Sequence, residues 1–388
     1  MMTTCPVCTG SEHEQILALP GLPVLVNAQV RPDDALDVQR GEMNLAVCLT
    51  CGHLFNTAFD ESLLDYDAAY ENTLHFSPHF QRFAKALRDR LVADHDLAGA
   101  SIAELGSGPG HFLSMLCDAG VADAYGFDPS YDADRLGAPE HEGVTISTDL
   151  FPSDGSLQVK LAFSQHVLEH LESPIDALTA QRAAVIDQSG AVYSEVPNGQ
   201  LMIEQCALWD LVYEHVSYFV PTSLELAHRR SGLDVTRVGA DFGEQFLWCE
   251  AVPGAGDASA AADAESVADA VVAARAFGLA ATARIAEARR ELAEFAAKGP
   301  VVLWGAGSKG MTYLNLVADV AQVAGVVDIN PRKAGWGVPG TSLTITGPDA
   351  LITVHPKTVL AANPVYIDEI RAQLDGLGVH ADVRALWG

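Results

Sequence analysis

Hydrophobic and polar positions divide the chain into four segments. Residues 1–75 lack a long helical period, whereas over 76–253 short apolar runs alternate with segments of helix length. That alternation is typical of βαβ units around a parallel sheet. Residues 254–298 are rich in alanine, a strong helix former, and predict one or two exposed helices that serve as a connector. The strand rhythm resumes over 299–388, so the pattern predicts two α/β domains after a small N-terminal module.

The net charge of the chain limits the kinds of partner that it can bind. It has 51 acidic and 23 basic residues, a net charge of −28. Binding to a phosphate backbone needs lysines and arginines that displace counterions, so no nucleic-acid partner is expected. No run of about 18 apolar residues suggests a membrane span, and no N-terminal targeting segment is recognisable. We expect a cytoplasmic protein, a monomer or small homo-oligomer, that acts on small molecules and not on a membrane.

Four of the seven cysteines form two C-x-x-C pairs, Cys5 with Cys8 and Cys48 with Cys51. Four thiolates from two such pairs are typical ligands of a closed, structural zinc site. A redox role is less favoured, because neither pair opens a helix of a βαβ unit. Two unrelated pairs of reduced thiols remain the alternative. The pattern predicts a four-cysteine zinc-binding module within residues 1–75.

A glycine loop follows the first expected strand of the 76–253 segment. It has the form E-x-G-x-G-x-G and stands between an apolar run and a segment of helix length. Its glycines permit a tight turn and let a ligand lie against bare backbone at a helix N-terminus. Acidic or polar residues end the following strands, where a carboxylate can hold ribose hydroxyls. The candidate cofactor-binding residues are Glu104, Gly106, Gly108, Gly110, Asp128, Pro129, Asp149, Leu150, Gln165 and His166.

Polar groups that can transfer protons cluster late in the same segment. A run of tyrosine, glutamate and histidine follows an apolar stretch, and two further histidines come after the fourth expected strand. Histidine is suited to proton transfer because its ordinary pKa is near neutrality. The fifth expected strand ends in polar residues, at the edge where open α/β sheets bind ligands. The candidate catalytic residues are Tyr213, Glu214, His215 and His170, and the candidate substrate contacts here are Glu195 and Asn198.

A second glycine loop, Gly305-Ala-Gly-Ser-Lys-Gly310, opens the last segment. It follows an expected strand and precedes a helix, and Asp328 ends the next strand. Taken alone, G-x-G-x-x-G is the dinucleotide fingerprint, so an NAD-dependent oxidoreductase is one alternative. We favour a domain that closes over an acceptor, with Lys309 and the helix N-terminus near its diphosphate. Arg332 and Lys333 are further basic candidates.

The first glycine loop and the strand-end acids together resemble the class I methyltransferase fold. The glutamate that opens the loop favours S-adenosylmethionine over NAD. The Glu-His-x-x-Tyr-Phe element at Glu214, the cysteine pairs and the C-terminal block together resemble the sugar C-methyltransferases of the TDP-3-amino-4-keto-hexose type. The resemblance extends from Cys5 to about Leu386. It implies a zinc module, a methyltransferase domain and a Rossmann-like C-terminal domain.

The resemblance also implies roles for individual residues. A base removes a proton from a carbon next to a ketone, and the enolate then attacks the methyl group of the cofactor. His215 matches the family's base, Glu214 orients or polarises it, and His170 stabilises the enolate oxygen. His166 lies near the cofactor or the substrate. Residues 66–72 cover the site like a lid, which Tyr70 lines.

One position departs from the family pattern. The tyrosine expected two positions before Glu214 is Val212, and a tyrosine stands next to it at Tyr213. The implied acceptor is a nucleotide-activated keto-sugar or a related metabolite, in deoxysugar, antibiotic or other specialised biosynthesis. The alternatives are an O- or N-methyltransferase on another small molecule, the NAD-dependent oxidoreductase, and a non-catalytic scaffold.

Overall fold

The computed structural model describes residues 2–64, 70–186, 189–254, 257, 259–317 and 319–387. Within these ranges the strands form three sheets, of four, seven and five strands. The small sheet belongs to the N-terminal module and the two larger sheets to the α/β domains, so the predicted fold class is confirmed. Residues 66–69 of the predicted lid lie outside the described ranges.

The N-terminal module is built on a small antiparallel sheet. Its first strands are β1 His13–Pro23, β2 Arg40–Cys48 and β3 Leu54–Asn56. On β2, Met43, Leu45 and Val47 are fully buried, the period of two that places alternate side chains on one face of a strand. The last strand residue, Cys48, carries this sheet directly into the cysteine cluster.

The central domain is a seven-stranded sheet with helices on both faces. In order along the chain, its elements are α1 Pro78–Asp94, β4 Ser101–Leu105, α2 His111–Asp118, β5 Asp123–Phe127, α3 Ala133–Leu136, β6 Val144–Ser147, β7 Leu161–Gln165, α4 Pro174–Ala184, β8 Ala191–Pro197, α5 Gly199–Glu204, β9 Ser217–Tyr218, α6 Pro221–Arg230, β10 Leu233–Asp241 and β11 Phe246–Pro253. Among these, β9 pairs with β3 and so joins the domain to the N-terminal sheet.

The strand order in the central sheet is β10-β11-β8-β7-β4-β5-β6. The five strands from β4 to β8 are parallel, and β11 runs antiparallel to β8. From β4, the chain first adds β5 and β6 on one side of the sheet and then returns to add β7 and β8 on the other side. The strand order therefore reverses between β4 and β7. Ligands of open α/β sheets bind at such a reversal, at the carboxyl ends of the strands.

The alanine-rich segment forms one long helix, α7 Ala264–Lys298, that Asp263 caps. Most of the helix is exposed or half-buried, as predicted for a connector, but a stripe along it packs into the core of the N-terminal module. At Gly278 a Cβ atom would lie only 2.1 Å from the carbonyl oxygen of Ile16 on β1. By length and apolar content α7 could cross a membrane, but its apolar stripe is part of the protein core. The buried residues of α7 are Val271, Ala274, Phe277, Ala281, Ile285, Ala288 and Leu292.

The C-terminal domain is a five-stranded parallel sheet of order β14-β13-β12-β15-β16. Its elements are β12 Val301–Trp304, α8 Ser308–Leu316, β13 Gly325–Val327, β14 Ile345–Thr346, α9 Leu351–Val354, β15 Thr358–Ala361, α10 Ile367–Leu377 and β16 Asp382–Ala385. The second glycine loop joins β12 to α8 beside β15, which is the order reversal of this sheet. The two glycine loops therefore occupy equivalent places in two Rossmann-like sheets.

Specific polar contacts hold the C-terminal domain against the rest of the chain. Gln245, between β10 and β11, exchanges two side-chain hydrogen bonds of 2.9 Å with Asn363. Ser77 Oγ, at the start of α1, donates to Glu369 Oε2 at 2.8 Å. The backbones of Val30 and Gly337 pair as well. The residues of the two side-chain contacts, Ser77 with Glu369 and Gln245 with Asn363, line one cleft.

A buried ionic network stabilises the central domain around Glu250 on β11. Its carboxylate, 1% exposed, accepts hydrogen bonds from Arg90 and from Arg237 Nη2 at 2.6 Å, and it lies 3.4 Å from His95. Burial alone would raise the pKa of Glu250. The hydrogen bonds from His95 and Arg237 and the charge of Arg90 outweigh burial and lower the pKa to about 2.

We predict that Glu250→Gln lowers the free energy of unfolding by about 2 kcal/mol at pH 7. Removing one partner of a buried ion pair is destabilising, but the arginines here are partly exposed to water, which reduces the cost of leaving them unpaired. A carboxylate whose folded-state pKa is depressed stabilises the fold above its unfolded pKa. The advantage of the native chain should therefore be complete above pH 4.5 and should vanish as the pH falls toward 2. Urea titrations of both chains at several pH values measure it. A stability gap independent of pH would contradict this assignment.

Candidate active site

The four cysteines predicted to bind zinc come together in the structure. Sγ of Cys5 lies 3.7 Å from Sγ of Cys51, and Sγ of Cys8 lies 3.4 Å from Sγ of Cys48. A tetrahedron with Zn–S bonds of about 2.3 Å has sulfur–sulfur edges of about 3.8 Å, so the cluster fits that ion. Gly52, with a φ of 74°, closes the second turn by donating its N–H to Cys48 O. These thiols could hold a structural metal.

The first glycine loop is shaped for a ligand. Gly106, Gly108 and Gly110 all have positive φ, and a Cβ at Gly106 would lie 2.4 Å from Val167. The space beside Gly108 is open, and its N–H donates to Oδ2 of Asp128 at 2.7 Å. The loop therefore leaves bare backbone at the start of α2, as predicted.

One acid beside this loop, Glu104, is buried with a carboxyl oxygen that is unpaired in the described part of the chain. Glu104 is 4% exposed, and its Oε2 has no hydrogen-bond partner among the described residues. Burial, then the charges of Asp128 and Glu195, raise the pKa of Glu104 well above its usual range. Asp149 is exposed and accepts from Ser147 Oγ at 2.9 Å. A buried, unpaired carboxylate calls for a donor or cation from a ligand.

Leu150 and Pro129 complete the strand ends. Leu150 is 80% exposed. Pro129 follows Asp128 directly after β5. Both positions are compatible with the predicted cofactor contacts.

His166 lies between two carboxylates just after β7. Its Nδ1 is 3.5 Å from Glu169 Oε1, and its Nε2 is 3.5 Å from Glu195 Oε1. Glu195 is 1% exposed and also accepts from Tyr193 Oη at 3.0 Å and from Gln165 Nε2 at 3.3 Å. Burial acts to lower the pKa of His166, but Glu169 and Glu195 outweigh it and raise the pKa. The structure thus favours a cationic imidazole here.

A cleft runs between the strand ends of the central domain and the second glycine loop. It encloses about 1310 Å³ of empty space, counting its open mouth. Phe242 and Phe246, whose rings stack at 4.7 Å, form part of one wall. Its place at the order reversals of two sheets makes it the best candidate for a substrate site. Lining residues with ionisable side chains include Tyr70, His166, Glu169, His170, Asp210, His215, Lys309, Asp328 and Lys333.

His215 lies in this cleft beside His170. Their rings are 4.8 Å apart, and His170 Nδ1 lies 3.0 Å from the carbonyl oxygen of Glu214. The backbone of Asp210 hydrogen-bonds to the His215 ring, whereas Nδ1 of His215 has no partner among the described residues. Burial, then the positive fields of His170, His166 and Lys309, lower the pKa of His215 well below its usual value. His215 is therefore neutral at pH 7, with Nδ1 free to accept a proton.

Glu214 belongs to a polar chain that crosses the domains. Its Oε2 accepts from Tyr70 Oη at 2.9 Å, and its Oε1 accepts from the N–H of Val26 at 3.1 Å. Asn27 Nδ2 donates to Tyr70 Oη, and Lys333 Nζ lies 3.3 Å from Asn27 Oδ1. Burial raises the pKa of both Glu214 and Tyr70. The predicted lining role of Tyr70 agrees with its place beside the cleft.

The structure contradicts the predicted roles of Glu214 and Tyr213. Glu214 does not contact the His215 ring in the bonds observed; its carboxylate is 3.9 Å from His170 Nδ1 and is held by Tyr70. Tyr213 is fully buried in the N-terminal core, where its hydroxyl accepts from the N–H of Asp60 at 2.9 Å. Because its phenol faces that module and not the cleft, Tyr213 does not have the position of a catalytic residue.

Two predicted substrate contacts serve the fold instead. The Asn198 side chain caps α5 by accepting from Gln200 N at 3.1 Å, and it donates to Glu244 O at 2.8 Å. Both ends of its amide are therefore occupied within the protein. Glu195 is bound by Tyr193 and Gln165, so it acts on the cleft through its neighbour His166.

The second glycine loop is occupied by the protein's own groups. The N–H of Ala306 donates to Asp328 Oδ2 at 2.7 Å, and Lys333 Nζ donates to Ala306 O at 2.8 Å. Lys309 was expected near a diphosphate, but its Nζ lies 2.7 Å from Asp210 Oδ1 in the central domain. Arg332 Nη1 lies 3.6 Å from Glu71 Oε2. The basic residues here are paired with acids or carbonyls of neighbouring segments.

Three polar residues in this region were not among the candidates that the sequence suggested. Glu169 is 1% exposed, and neither carboxylate oxygen has a hydrogen-bond partner among the described residues. It stands between two predicted histidines, so the motif itself was a signal. Asp210 precedes His215 by five positions. Asn27 carried no local signal, because its bond to Ser308 Oγ spans 281 positions of sequence.

Comparison with known families assigns both α/β domains. A family model described as a methyltransferase domain matches residues 76–238, and a C-methyltransferase C-terminal domain matches residues 258–380. The protein is a methyltransferase. Its class I methyltransferase fold agrees with the predicted one. The search of curated proteins found no match to this methyltransferase.

Solved methyltransferase structures are similar to about half of the chain. Magnesium protoporphyrin IX methyltransferase of Synechocystis PCC 6803 is 16% identical, with 49% of this chain and 91% of that chain covered and a TM-score of 0.37. The 1,6-didemethyltoxoflavin-N1-methyltransferase of Burkholderia thailandensis is 14% identical, with 52% and 96% covered and a TM-score of 0.35. A methyltransferase of Clostridium acetobutylicum is 9% identical, with 45% and 92% covered and a TM-score of 0.37.

We predict that Glu169→Gln lowers the pKa of His166, since burial then acts against one neighbouring carboxylate instead of two. Imidazole resonances of labelled histidine, assigned with a His166→Asn chain, give this pKa in the absence of any substrate. Glu172→Gln, an exposed change in the same loop, is the matched control. An unchanged pKa for His166 in Glu169→Gln would refute the electrostatic role of Glu169.

Proposed function

We propose that the protein is an S-adenosylmethionine-dependent C-methyltransferase that acts on a carbon next to a ketone. The acceptor is a nucleotide-linked sugar or a related activated metabolite of deoxysugar or other specialised biosynthesis. The observation that carries this proposal is His215, a neutral imidazole with a free Nδ1 in the cleft between the two α/β domains. Carbon is favoured over oxygen or nitrogen because the C-terminal segment matches a C-methyltransferase C-terminal domain.

The cofactor would lie on the first glycine loop. Glu104 offers an unpaired, buried carboxylate oxygen, and the open backbone at Gly108 accommodates a ligand at the start of α2. Asp128 and Asp149 end neighbouring strands, where their oxygens can accept from ribose hydroxyls and from an adenine amino group. When bound, S-adenosylmethionine supplies an electrophilic methyl group. The residues present fit this cofactor.

The protein's own groups would prepare the acceptor carbon. His215 takes the proton at Nδ1, which has no partner among the described residues, and the hydrogen bond with the Asp210 backbone holds its ring. The electron pair of the broken C–H bond moves onto the carbonyl oxygen. His170, fixed by its bond to Glu214 O, is placed to stabilise that oxygen, and Tyr70 holds the Glu214 carboxylate behind it. Charge that develops among such fixed groups, in a cleft partly shielded from water, is stabilised more than it would be in bulk water.

The nucleotide part of the acceptor would lie against the C-terminal domain. There the N-terminus of α8 and the buried ammonium of Lys333 face the cleft, an arrangement suited to an anion. Trp304 and Tyr366 also line this side and offer flat surfaces to a base. We infer that this domain binds the activating group of the acceptor.

We also propose that the cysteine cluster holds a structural zinc ion. The module it fixes carries Val26 and Asn27, which contact Glu214 and Tyr70. His53, fully buried beside the cluster, connects the module to Ser217 and Ser223 of the central domain. Burial lowers the pKa of His53 to about 3, so it acts as a neutral hydrogen-bonding group. Zinc would thus support the active site from a distance.

We predict that His215→Gln abolishes both methyl transfer and exchange of the acceptor's carbon-bound proton with solvent. The assay uses D2O, S-adenosylmethionine and a panel of nucleotide keto-sugars, with mass spectrometry as the readout. The native chain should add one methyl group and should place deuterium in unreacted acceptor. A variant that retains full turnover would show that His215 is not the base.

Cofactor binding by His215→Gln, measured by calorimetry, is the control for folding. Tight cofactor binding by the native chain without reaction of any sugar would reject the sugar acceptor and leave the methyltransferase assignment intact. Methylation without any dependence on carbon deprotonation would favour an oxygen or nitrogen acceptor instead.

We predict that Cys48→Ser removes bound zinc and lowers the melting temperature, since zinc binding contributes to folding in such modules. Metal analysis and thermal unfolding of the whole chain measure both effects. Cys206→Ser, at a half-buried thiol outside the cluster, is the matched control. Equal zinc content and melting in the two variants would count against the site.

A further inference from the structure

Lys309 brings a positive charge from the C-terminal domain into the active site. It lies in the first turn of α8, and its Nζ forms a 2.7 Å ion pair with Asp210 Oδ1 across the cleft. The ammonium also lies 5.2 Å from the centre of the Trp209 ring. Its side chain is 17% exposed and lines the same cleft as His215. The pair is therefore partly shielded from water at the site of the proposed chemistry.

Asp210 joins this cation to the proposed base. Its backbone hydrogen-bonds to the ring of His215, and its carboxylate holds Lys309. One residue thus fixes both the imidazole that would take the proton and a cation from the opposite domain. The field of Lys309 contributes to the lowered pKa of His215, which places the two groups within electrostatic reach.

Lys309 retains donors for a ligand. Within the described parts of the chain, Asp210 is the hydrogen-bond partner of Nζ, so two of its three N–H groups stay available in the cleft. A diphosphate would compete with Asp210 for this ammonium, whereas one developing negative charge can share it. The geometry thus favours a small, transient anion over a permanent polyanion.

We propose that Lys309 is a catalytic residue that stabilises the enolate oxygen of the acceptor, with Asp210 as its positioning residue. The proposal rests on the proposed carbon methylation. In the step concerned, the C–H bond breaks, its proton goes to His215 Nδ1, and its electron pair passes to the carbonyl oxygen. That oxygen then accepts a hydrogen bond from Lys309. The active site is consequently complete only when the C-terminal domain is in place.

Lys309 would act together with His170, which lies in the central domain with its Nδ1 3.0 Å from the Glu214 carbonyl oxygen. His166 is held between Glu169 and Glu195. Lys309, by contrast, is a cation that arrives from the opposite wall of the cleft.

The test is Lys309→Met in the full chain, with Lys85→Met on the exposed face of α1 as control. We expect kcat to fall about 100-fold, the usual effect of losing one donor to an oxyanion. KM should change by less than about threefold, because the ground-state carbonyl binds the ammonium weakly. Exchange of the acceptor proton in D2O, measured with S-adenosylhomocysteine in place of the methyl donor, should slow by a similar factor.

The pH profile separates this role from a structural one. Removing Lys309 removes a positive field that opposes protonation of His215, so the pKa of His215 should rise. The acid limb of the kcat profile should therefore move to higher pH in Lys309→Met. Asp210→Asn keeps the backbone hydrogen bond to His215 but loses the ion pair with Lys309. It should therefore lower kcat by a smaller factor than Lys309→Met does.

An unchanged kcat with a KM raised about tenfold or more would overturn the proposal and make Lys309 a binding residue. An unchanged acid limb or an undiminished exchange rate would overturn it as well. Calorimetric binding of S-adenosylmethionine verifies that each variant is folded. If the native chain exchanges no acceptor proton, the proposed carbon methylation is wrong. If the native chain exchanges the proton and Lys309→Met exchanges it equally fast, only the role of Lys309 is wrong.

Discussion

The buried carboxylate of Glu214 is the constraint on which the rest of the site depends. It is 4% exposed and is held by Val26 from the N-terminal module and by Tyr70, while the Glu214 carbonyl receives His170. A buried acid costs free energy unless its oxygens are satisfied, so each of these segments must keep its place. The proposed zinc cluster acts at this point, since it fixes the module that carries Val26.

Around that anchor the structure separates the charges of its histidines. Two carboxylates raise the pKa of His166, whereas burial and neighbouring cations lower the pKa of His215. Groups of one chemical type thus take a cationic and a neutral form within one cleft. Such divergence of pKa values is how a protein can offer an acid and a base side by side at one pH.

The sequence predicted features that depend on local spacing. The cysteine pairs, both glycine loops and the acid at Asp128 lie in the predicted elements, because local sequence patterns determine such loops and strand ends. Contacts between distant segments were not predictable: Tyr213 turns into the N-terminal core, and Lys309 meets Asp210 across two domains. Likewise, the composition of residues 264–298 predicted a helix, but nothing in it indicated which part of the protein the apolar stripe of α7 packs against.

The most direct test of carbon methylation is the bonding of the transferred methyl group. The methyltransferase would be supplied with S-adenosylmethionine carrying a 13C-labelled methyl group and with a uniformly 13C-labelled nucleotide keto-sugar. A one-bond carbon–carbon coupling between the new methyl and a ring carbon next to the ketone is the result we predict. A methyl carbon attached to oxygen or nitrogen would contradict the account.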